Sequence, residues 1–219
     1  MQKKIMIVFG TRPEAIKMAP LIHALRAEPS HFEVNICITG QHRQLLDQVL
    51  KTFNIVPDIN LDLMKKDQDL FDITANVLVA MKNVLKEYKP NIVIVHGDTS
   101  TALSTAIAGF YAGIPIAHVE AGLRSNNLFA PFPEEFNRQT VSKIAQWHFT
   151  PTKLSREHLL KEKIADTSIT VTGNTVIDSL QWVLKRIDAD KNLRHFVDTK
   201  ITSILPFDWR KETFVSVSY

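Results

Sequence analysis

The chain has 219 residues, enough for one well-cored domain plus an appendage or for two small domains. Apolar residues make up 45% and charged residues 22%, and the formal charge of +3 is spread along the chain, which excludes the concentrated basic stripe of a nucleic-acid binder. No apolar run approaches the ~18 residues of a membrane span, and the first run stops at Gly10, too early for a signal-peptide core. A cytoplasmic protein with neither a membrane nor a nucleic acid as partner is therefore expected.

Short apolar runs alternate with helical patterns along the chain. Residues 5–9 (IMIVF) form the first strand candidate, ended by Gly10, and residues 13–27 the first helix, with Thr11 as its cap and Pro13 in its first turn. Pro20 is expected to kink or shorten that helix. Residues 32–39 form a second strand, ended by Gly40 and holding the single cysteine, Cys37, which reads as a buried inert thiol. Helices follow over 42–53 and 70–88, a third strand over 91–96 and a helix over 100–111. The strand at 114–120 leads to a helix at 134–144, the weaker strand at 147–150 to a helix at 153–163, and the strand at 168–172 to a helix at 175–186. The strand runs are continuous in Ile and Val rather than alternating, as expected for strands covered on both faces. The fold class is thus α/β, a Rossmann-like doubly wound parallel sheet filling residues 1–186. Residues 187–212 lose the rhythm and read as a linker, and 214–219 (FVSVSY) as the first strand of a second domain, so that 187–219 is a linker and remnant and the chain looks cut short.

Five of the seven glycines fall just past a strand's C-terminal end, the edge at which open parallel sheets bind ligands. At the first such turn the sequence is VFGTRPEAIK. A helix N-terminus offers free N–H groups to a phosphate, Arg12 at the turn can grip a diphosphate in a forked way, and Lys17 lies about one turn into the helix. The string is neither GxGxxG nor a P-loop. Three acids collect at the same edge. Asp98 follows VIVHG, Glu120 ends IAHVE, and Glu134 follows APFP at the head of a helix. Carboxylates held close together or partly dry can divide acid and base roles. Simpler roles exist for two of them, since Asp98 could cap a helix and Glu134 could serve a helix dipole. Glu120, at the end of an apolar strand, needs a partner or a ligand. His96 and His118 flank the acids and could orient them or be structural. Neither HExxH nor CxxC occurs, so no catalytic metal and no cofactor are expected.

Six strings taken together, GTRPEAIKMAPL (10–21), TGQHRQLLDQVL (39–50), VHGDTSTAL (95–103), HVEAGLRS (118–125), PFPEEFNR (131–138) and VTGNTVID (171–178), resemble the non-hydrolysing UDP-N-acetylglucosamine 2-epimerases. The resemblance implies the N-terminal domain of a GT-B fold, with a nucleotide sugar held between two Rossmann-like domains, usually in homodimers. It implies interconversion of UDP-N-acetylglucosamine (UDP-GlcNAc) and UDP-N-acetylmannosamine by anti elimination and re-addition of UDP, for surface polysaccharide synthesis. Arg12, Lys17, Asp98 and Glu120 match the family's substrate-contacting positions, and Asp98, Glu120 and Glu134 its acid and base positions. Gln41 and Gln44 match glutamines of an activating second site that some relatives carry, but Asp67 stands where those relatives can have arginine. The loop after Arg124 reads Ser125-Asn126-Asn127 where relatives often have Thr-Gly, and asparagine tolerates the left-handed backbone such a turn uses. Without the family's second domain the chain is expected to be inactive alone. Two alternatives stay open: a hydrolysing epimerase releasing the free sugar and UDP, and a catalytically dead nucleotide-sugar-binding fragment.

Overall fold

The computed structural model describes residues 2–40, 43–63 and 67–213, with Arg43 and Gln44 described by backbone alone. β1 (Lys3–Phe9) leads into α1 (Arg12–Arg26), β2 (Phe32–Ile38) into α2 (Arg43–Thr52), and the short β3 (Ile59–Asn60) into α3 (Leu70–Tyr88). The pattern continues with β4 (Ile92–His96) and α4 (Ser100–Tyr111), then β5 (Ile116–Val119) and α5 (Glu134–Ile144). β6 (Trp147–Thr150), α6 (Lys153–Lys161), β7 (Ile169–Val171), α7 (Thr175–Ala189) and α8 (Lys191–Ile204) complete it. Among the described residues the strands form one seven-stranded parallel sheet in the order β3-β2-β1-β4-β5-β6-β7. This is the expected Rossmann-like α/β fold. The order reverses between β1 and β4, so the crossovers leave in opposite directions there and open a crevice at the carboxyl ends of the strands.

Burial follows from the pleat. In β1, Met6 and Val8 join one core cluster with Val77, Met81, Ala102 and Leu103 of α3 and α4. Ile7 and Phe9, equally buried, face the other way, where α1 contributes Met18 and Ile22. Both faces are covered, which is why the strand runs are continuously apolar. Cys37 belongs to the first cluster, and burial pushes its thiol up to about 12, so it is held as the unreactive thiol.

Pro20 does not shorten α1, which runs unbroken from Arg12 to Arg26. A proline lacks the N–H that would bond the carbonyl four residues back, here that of Ile16. The hydroxyl of Ser179 donates to that carbonyl at 2.5 Å and so takes the missing role. Gly122 shows a different constraint. Its φ is +84°, and a Cβ there would lie 2.2 Å from the carbonyl oxygen of Ser155 in α6, so the turn after β5 and α6 can pack this closely only at glycine.

The chain divides into two compact units, one ending at Ser179 and one beginning at Leu180, within α7. The segment expected to be a linker is largely helical. Asp190 caps α8 by accepting from the amides of Asn192 and Leu193, and Arg210 returns to pair with Asp198 of that helix at 2.7 Å. The signal was present in the apolar spacing of Leu193, Phe196, Val197, Ile201 and Ile204 behind an Asp cap. The expected strand at 214–219 lies outside the described residues.

The Pro20–Ser179 arrangement is tested by a double-mutant cycle. Ser179→Ala should cost about 1–2 kcal/mol, the desolvation of an orphaned buried carbonyl. In a Pro20→Ala background the restored amide satisfies Ile16, and the same change should cost well under half as much. Urea denaturation of the four proteins measures both, and equal costs in the two backgrounds would show that Ser179 does not serve that carbonyl.

Candidate active site

The site is assembled from the turns that follow β1, β4 and β5. The first turn is organised by Glu14, a fully buried carboxylate that composition and strand reading had passed over. Its Oε2 accepts from the amides of Gly10 (3.0 Å) and Thr11 (2.8 Å) and from the hydroxyl of Thr11 (2.8 Å), and its Oε1 accepts from the hydroxyl of Thr99 (2.8 Å). Thr11 in turn caps the amide of Glu14, which makes a capping box. The Thr-x-x-Glu spacing at 11–14 was the available signal. Burial pushes the Glu14 carboxyl above its ordinary value, and the bonds from Gly10, Thr11 and Thr99 oppose that rise. This network alters the expected phosphate cradle. The amides of Gly10, Thr11 and Glu14 are already bonded and Pro13 has none, so the start of α1 offers a phosphate little beyond the amide and side chain of Arg12.

Lys17 lies one turn further along α1. Its Nζ sits 2.8 Å from Oε1 and 2.6 Å from Oε2 of Glu120, chelating the carboxylate between helix and strand end. Glu120 is the residue after β5 and has a φ of +61°, a left-handed conformation that a non-glycine residue adopts at some cost. Nε2 of His96, at the end of β4, stands 3.7 Å from Glu120 Oε2 and has no hydrogen-bond partner. Asp98 follows two residues on. Its carboxylate pairs with Arg138 of α5 at 3.0 Å, and its backbone carbonyl accepts from Asn137 Nδ2 at 2.8 Å. Thr99, not Asp98, caps α4, so the Asp98 side chain is left for the crevice. Burial raises the Asp98 pKa, Arg138 lowers it, and the nearby Glu134 and Glu120 carboxylates raise it further.

Of the three acids expected to share one sheet edge, Asp98 lies within electrostatic reach of both Glu120 and Glu134. Lys17 joins them. Arg12 is exposed at the first position of α1 and pairs with no carboxylate among the described residues. Glu134 opens α5, and its carbonyl accepts from Arg138 Nε at 3.2 Å. Gln41 lies outside the described residues, and Gln44 is described only as part of the α2 backbone, so the second-site expectation falls outside the described side chains. Arg138 and Asn137 were missed, although their place in the first turns of the helix headed by Glu134 puts them on the same side of the crevice. Asn126 takes a φ of +62°, the left-handed turn that its residue type allows, and the loop is pinned by the buried Glu135, which accepts from the amides of Ser125 (3.0 Å) and Asn126 (3.3 Å). Burial acts to raise the Glu135 pKa, but the bonds from Gln139, Ser125 and Asn126 and the Arg138 charge together outweigh it and hold the carboxyl below its ordinary value. Arg124 makes a forked pair with Glu162 and is almost fully buried, a tie between the β5 turn and α6 rather than a substrate contact.

Beneath the site, His118 and His148 are register partners on β5 and β6, and His96 ends the adjacent β4. His118 Nε2 bonds the carbonyl of Gly97 at 2.7 Å, while its Nδ1 has no partner. Burial pushes His96 and His118 down to about 3, and lowers His148 as well. All three are neutral near pH 7. Among the described residues no three metal-ligating side chains cluster, and no helix is long and apolar enough to cross a membrane.

Comparison with known proteins gives a consistent picture. The family model described as UDP-N-acetylglucosamine 2-epimerase matches residues 23–213. The UDP-N-acetylglucosamine 2-epimerase of Escherichia coli K12 is 50% identical over 218 residues, covering 96% of this chain and 58% of that protein. Its Campylobacter jejuni counterpart is 55% identical over 194 residues, covering 89% of this chain and 50% of that protein. Among solved structures, the UDP-GlcNAc 2-epimerase of Neisseria meningitidis bound to UDP-GlcNAc aligns with a TM-score of 0.87 at 45% identity, covering 93% of this chain and 55% of that one. The Methanocaldococcus jannaschii enzyme in complex with UDP-GlcNAc and UDP aligns with a TM-score of 0.81 at 35% identity, covering 90% and 53%. The chain thus spans a little over half the length of most of these relatives, and its sheet and helices match one doubly wound domain of their GT-B-type fold.

The buried histidines predict an acid weakness. The unfolded chain binds protons near the ordinary 6.5, while native His96 and His118 resist them until about 3. Their contribution is thus complete above pH 6.5 and is lost progressively as pH falls toward 3. Each should remove about 1.4 kcal/mol of stability per pH unit in that window. Glu14 and Asp98, whose values are raised, act with the opposite sign, so the difference between proteins is the readout. His118→Gln should flatten the slope of unfolding free energy between pH 6 and 5 by roughly one proton's worth. A slope unchanged in urea melts of the variant would rule out His118 as an acid-labile group.

Proposed function

The chain belongs to the UDP-N-acetylglucosamine 2-epimerase family, and on that premise we propose that it supplies the proton-transferring side of a site interconverting UDP-GlcNAc and UDP-N-acetylmannosamine. The observation that carries the reading is the meeting of Asp98, Glu120 and Glu134 with Lys17 and Arg138 at the carboxyl ends of the strands. That the Neisseria meningitidis and Methanocaldococcus jannaschii structures hold UDP-GlcNAc supports the choice of ligand.

The reaction explains why several carboxyls are wanted. The hydrogen on sugar carbon 2 is not acidic, because no carbonyl adjoins that carbon. In an anti elimination a carboxylate takes this proton, the C–H electrons form the C1–C2 double bond, and the C1–O bond to UDP breaks with its electrons leaving on the diphosphate. The products are 2-acetamidoglucal and UDP. In the return direction a carboxylic acid on the other face of the ring delivers a proton to carbon 2 as UDP re-adds at carbon 1, which inverts carbon 2. Cations must hold the departing diphosphate, and Lys17 and Arg12 are the groups on this chain suited to that. Asp98, with its pKa raised by burial and by like-charged neighbours, is suited to carry a proton part of the time. Glu120 and Glu134, from the turn after β5 and the start of α5, are the neighbouring carboxyls that raise its pKa.

The test uses a fusion in which residue 213 is followed by the remaining region of the E. coli relative. Such a protein should wash solvent deuterium into carbon 2 of UDP-GlcNAc. Asp98→Asn, Glu120→Gln and Glu134→Gln should each slow that exchange on the order of a hundredfold or more without changing the circular dichroism spectrum. Exchange at the parent rate in any one variant removes that residue from proton transfer, and absence of exchange in a fusion that binds UDP-GlcNAc would sink the epimerase reading for this chain.

A further inference from the structure

Three features converge on Glu120. The Lys17 ammonium holds both of its oxygens, at 2.8 and 2.6 Å. Its backbone sits in the left-handed region, at a φ of +61°, a conformation a non-glycine residue adopts at some cost. Nε2 of His96, a side chain only 4% exposed, points at the same carboxylate from 3.7 Å and bonds to nothing else. An ammonium that spends its charge and two of its N–H bonds on Glu120 is not free to grip a diphosphate, and the lone pairs it occupies on both carboxylate oxygens are closed to a proton while it stays.

We propose that Lys17 is shared between two anions: in the unliganded chain it locks Glu120, and a diphosphate that draws its ammonium away releases the carboxylate onto Nε2–H of His96, which is a positioning residue for it. The inference deepens the epimerase reading and rests on it only in taking a nucleoside diphosphate as the ligand. The geometry requires little movement. A separation of 3.7 Å closes to hydrogen-bond distance with a small side-chain rotation. The groups around the exchange are Lys17 from α1, His96 from β4, and Asp98 from the turn after β4, itself held by Arg138 of α5. His96 stays neutral, because burial and the Lys17 charge hold it down at about 3, and the exchange calls for the tautomer that carries the ring proton on Nε2, the nitrogen facing Glu120. The outcome is that the base becomes available only when the leaving group's counter-ion is in place. Hydrolytic or futile proton exchange in the empty site is thereby suppressed.

Isothermal titration of the 219-residue chain with UDP, and separately with inorganic pyrophosphate, tests the exchange. Removing the competitor should strengthen binding: Glu120→Gln should bind both probes about tenfold more tightly than the parent, within the usual range for coupled sites. Lys17→Met should bind both more weakly, and adding Glu120→Gln to it should bring no tightening. Nitrogen-15 shifts of the His96 ring report the second half. The Nε2 signal should move when UDP is added to the parent, and free Lys17→Met should already show the moved signal. Glu120→Gln binding no tighter than the parent overturns the shared lysine while leaving UDP binding, and the epimerase reading, intact. Tightening toward pyrophosphate without any preference for UDP keeps the exchange and sinks the nucleotide reading. A His96 signal unmoved at saturating UDP overturns its positioning role, and failure of both probes to bind the parent overturns the proposal together with its premise. Because Glu120→Gln keeps the shape of the side chain, the central arm does not depend on Lys17→Met folding.

Discussion

One buried carboxylate, with no cation paired to it among the described residues, holds the crevice in register. Glu14 takes hydrogen bonds from the turn after β1 and from Thr99 at the start of α4, so it ties together the two elements that flank the reversal of strand order. Taking a carboxylate out of water is costly, and only a set of donors as complete as this one makes the arrangement tenable. Everything proposed for the site hangs from those two turns. Lys17 is one helical turn beyond Glu14 on α1, and Asp98 immediately precedes Thr99. A shift of either helix start would carry the lysine away from Glu120 or the aspartate away from Arg138. The same network fills the start of α1 with internal bonds, so the charge available to a phosphate there comes from side chains and not from the backbone.

Below that layer the strand ends are dry and uncharged. His96, His118 and His148 lie on three adjacent strands and are held neutral by burial. Neutral imidazoles form a floor that can donate or accept hydrogen bonds without adding a charge of either sign. The charges sit one level higher, with Lys17 paired to Glu120 and Arg138 shared between Asp98 and Glu135. Pairs in a partly dry crevice interact more strongly than exposed ones, and breaking one leaves a group that must find another partner at once.

Much of the fold could be read from the residues, because fully covered strands announce themselves as continuous runs of Ile and Val. The exceptions have local causes. β3 has two residues and no run to detect. Residues 187–212 looked like a linker because a helix with an exposed apolar stripe, such as Phe196 and Ile204, resembles neither a strand nor a core helix. Pro20 argued for a broken helix, and only a hydroxyl 159 positions away along the chain, that of Ser179, explains why α1 continues. For the site, residue types next to glycine turns pointed to Asp98, Glu120 and Glu134. The partnerships did not show, since Lys17 meets Glu120 across 103 positions and Asp98 meets Arg138 only because β5 and α5 follow β4 in space. Glu14 was legible as half of a capping box, and its further bond to Thr99 was not.

The charge balance of the crevice constrains how a nucleotide sugar could enter. Asp98, Glu120, Glu134 and Glu135, four acids, are set against Lys17, Arg138 and the exposed Arg12, so the site has no surplus of positive charge to attract a diphosphate. An incoming anion must therefore displace a carboxylate from its cation or drive a carboxylate to take up a proton. The proposed exchange supplies the first route and Asp98 is suited to the second. Lys17 can exchange Glu120 for phosphate, and Asp98, already raised by burial and by its two acidic neighbours, is the group on which a further negative charge would next place a proton. In the proposed reaction these are the two events that elimination requires, a carboxylate freed to accept a proton and a carboxyl charged to return one. Binding of the leaving group and preparation of the acid and base would then be a single electrostatic step, driven by the same negative charge that departs when the glycosidic bond breaks.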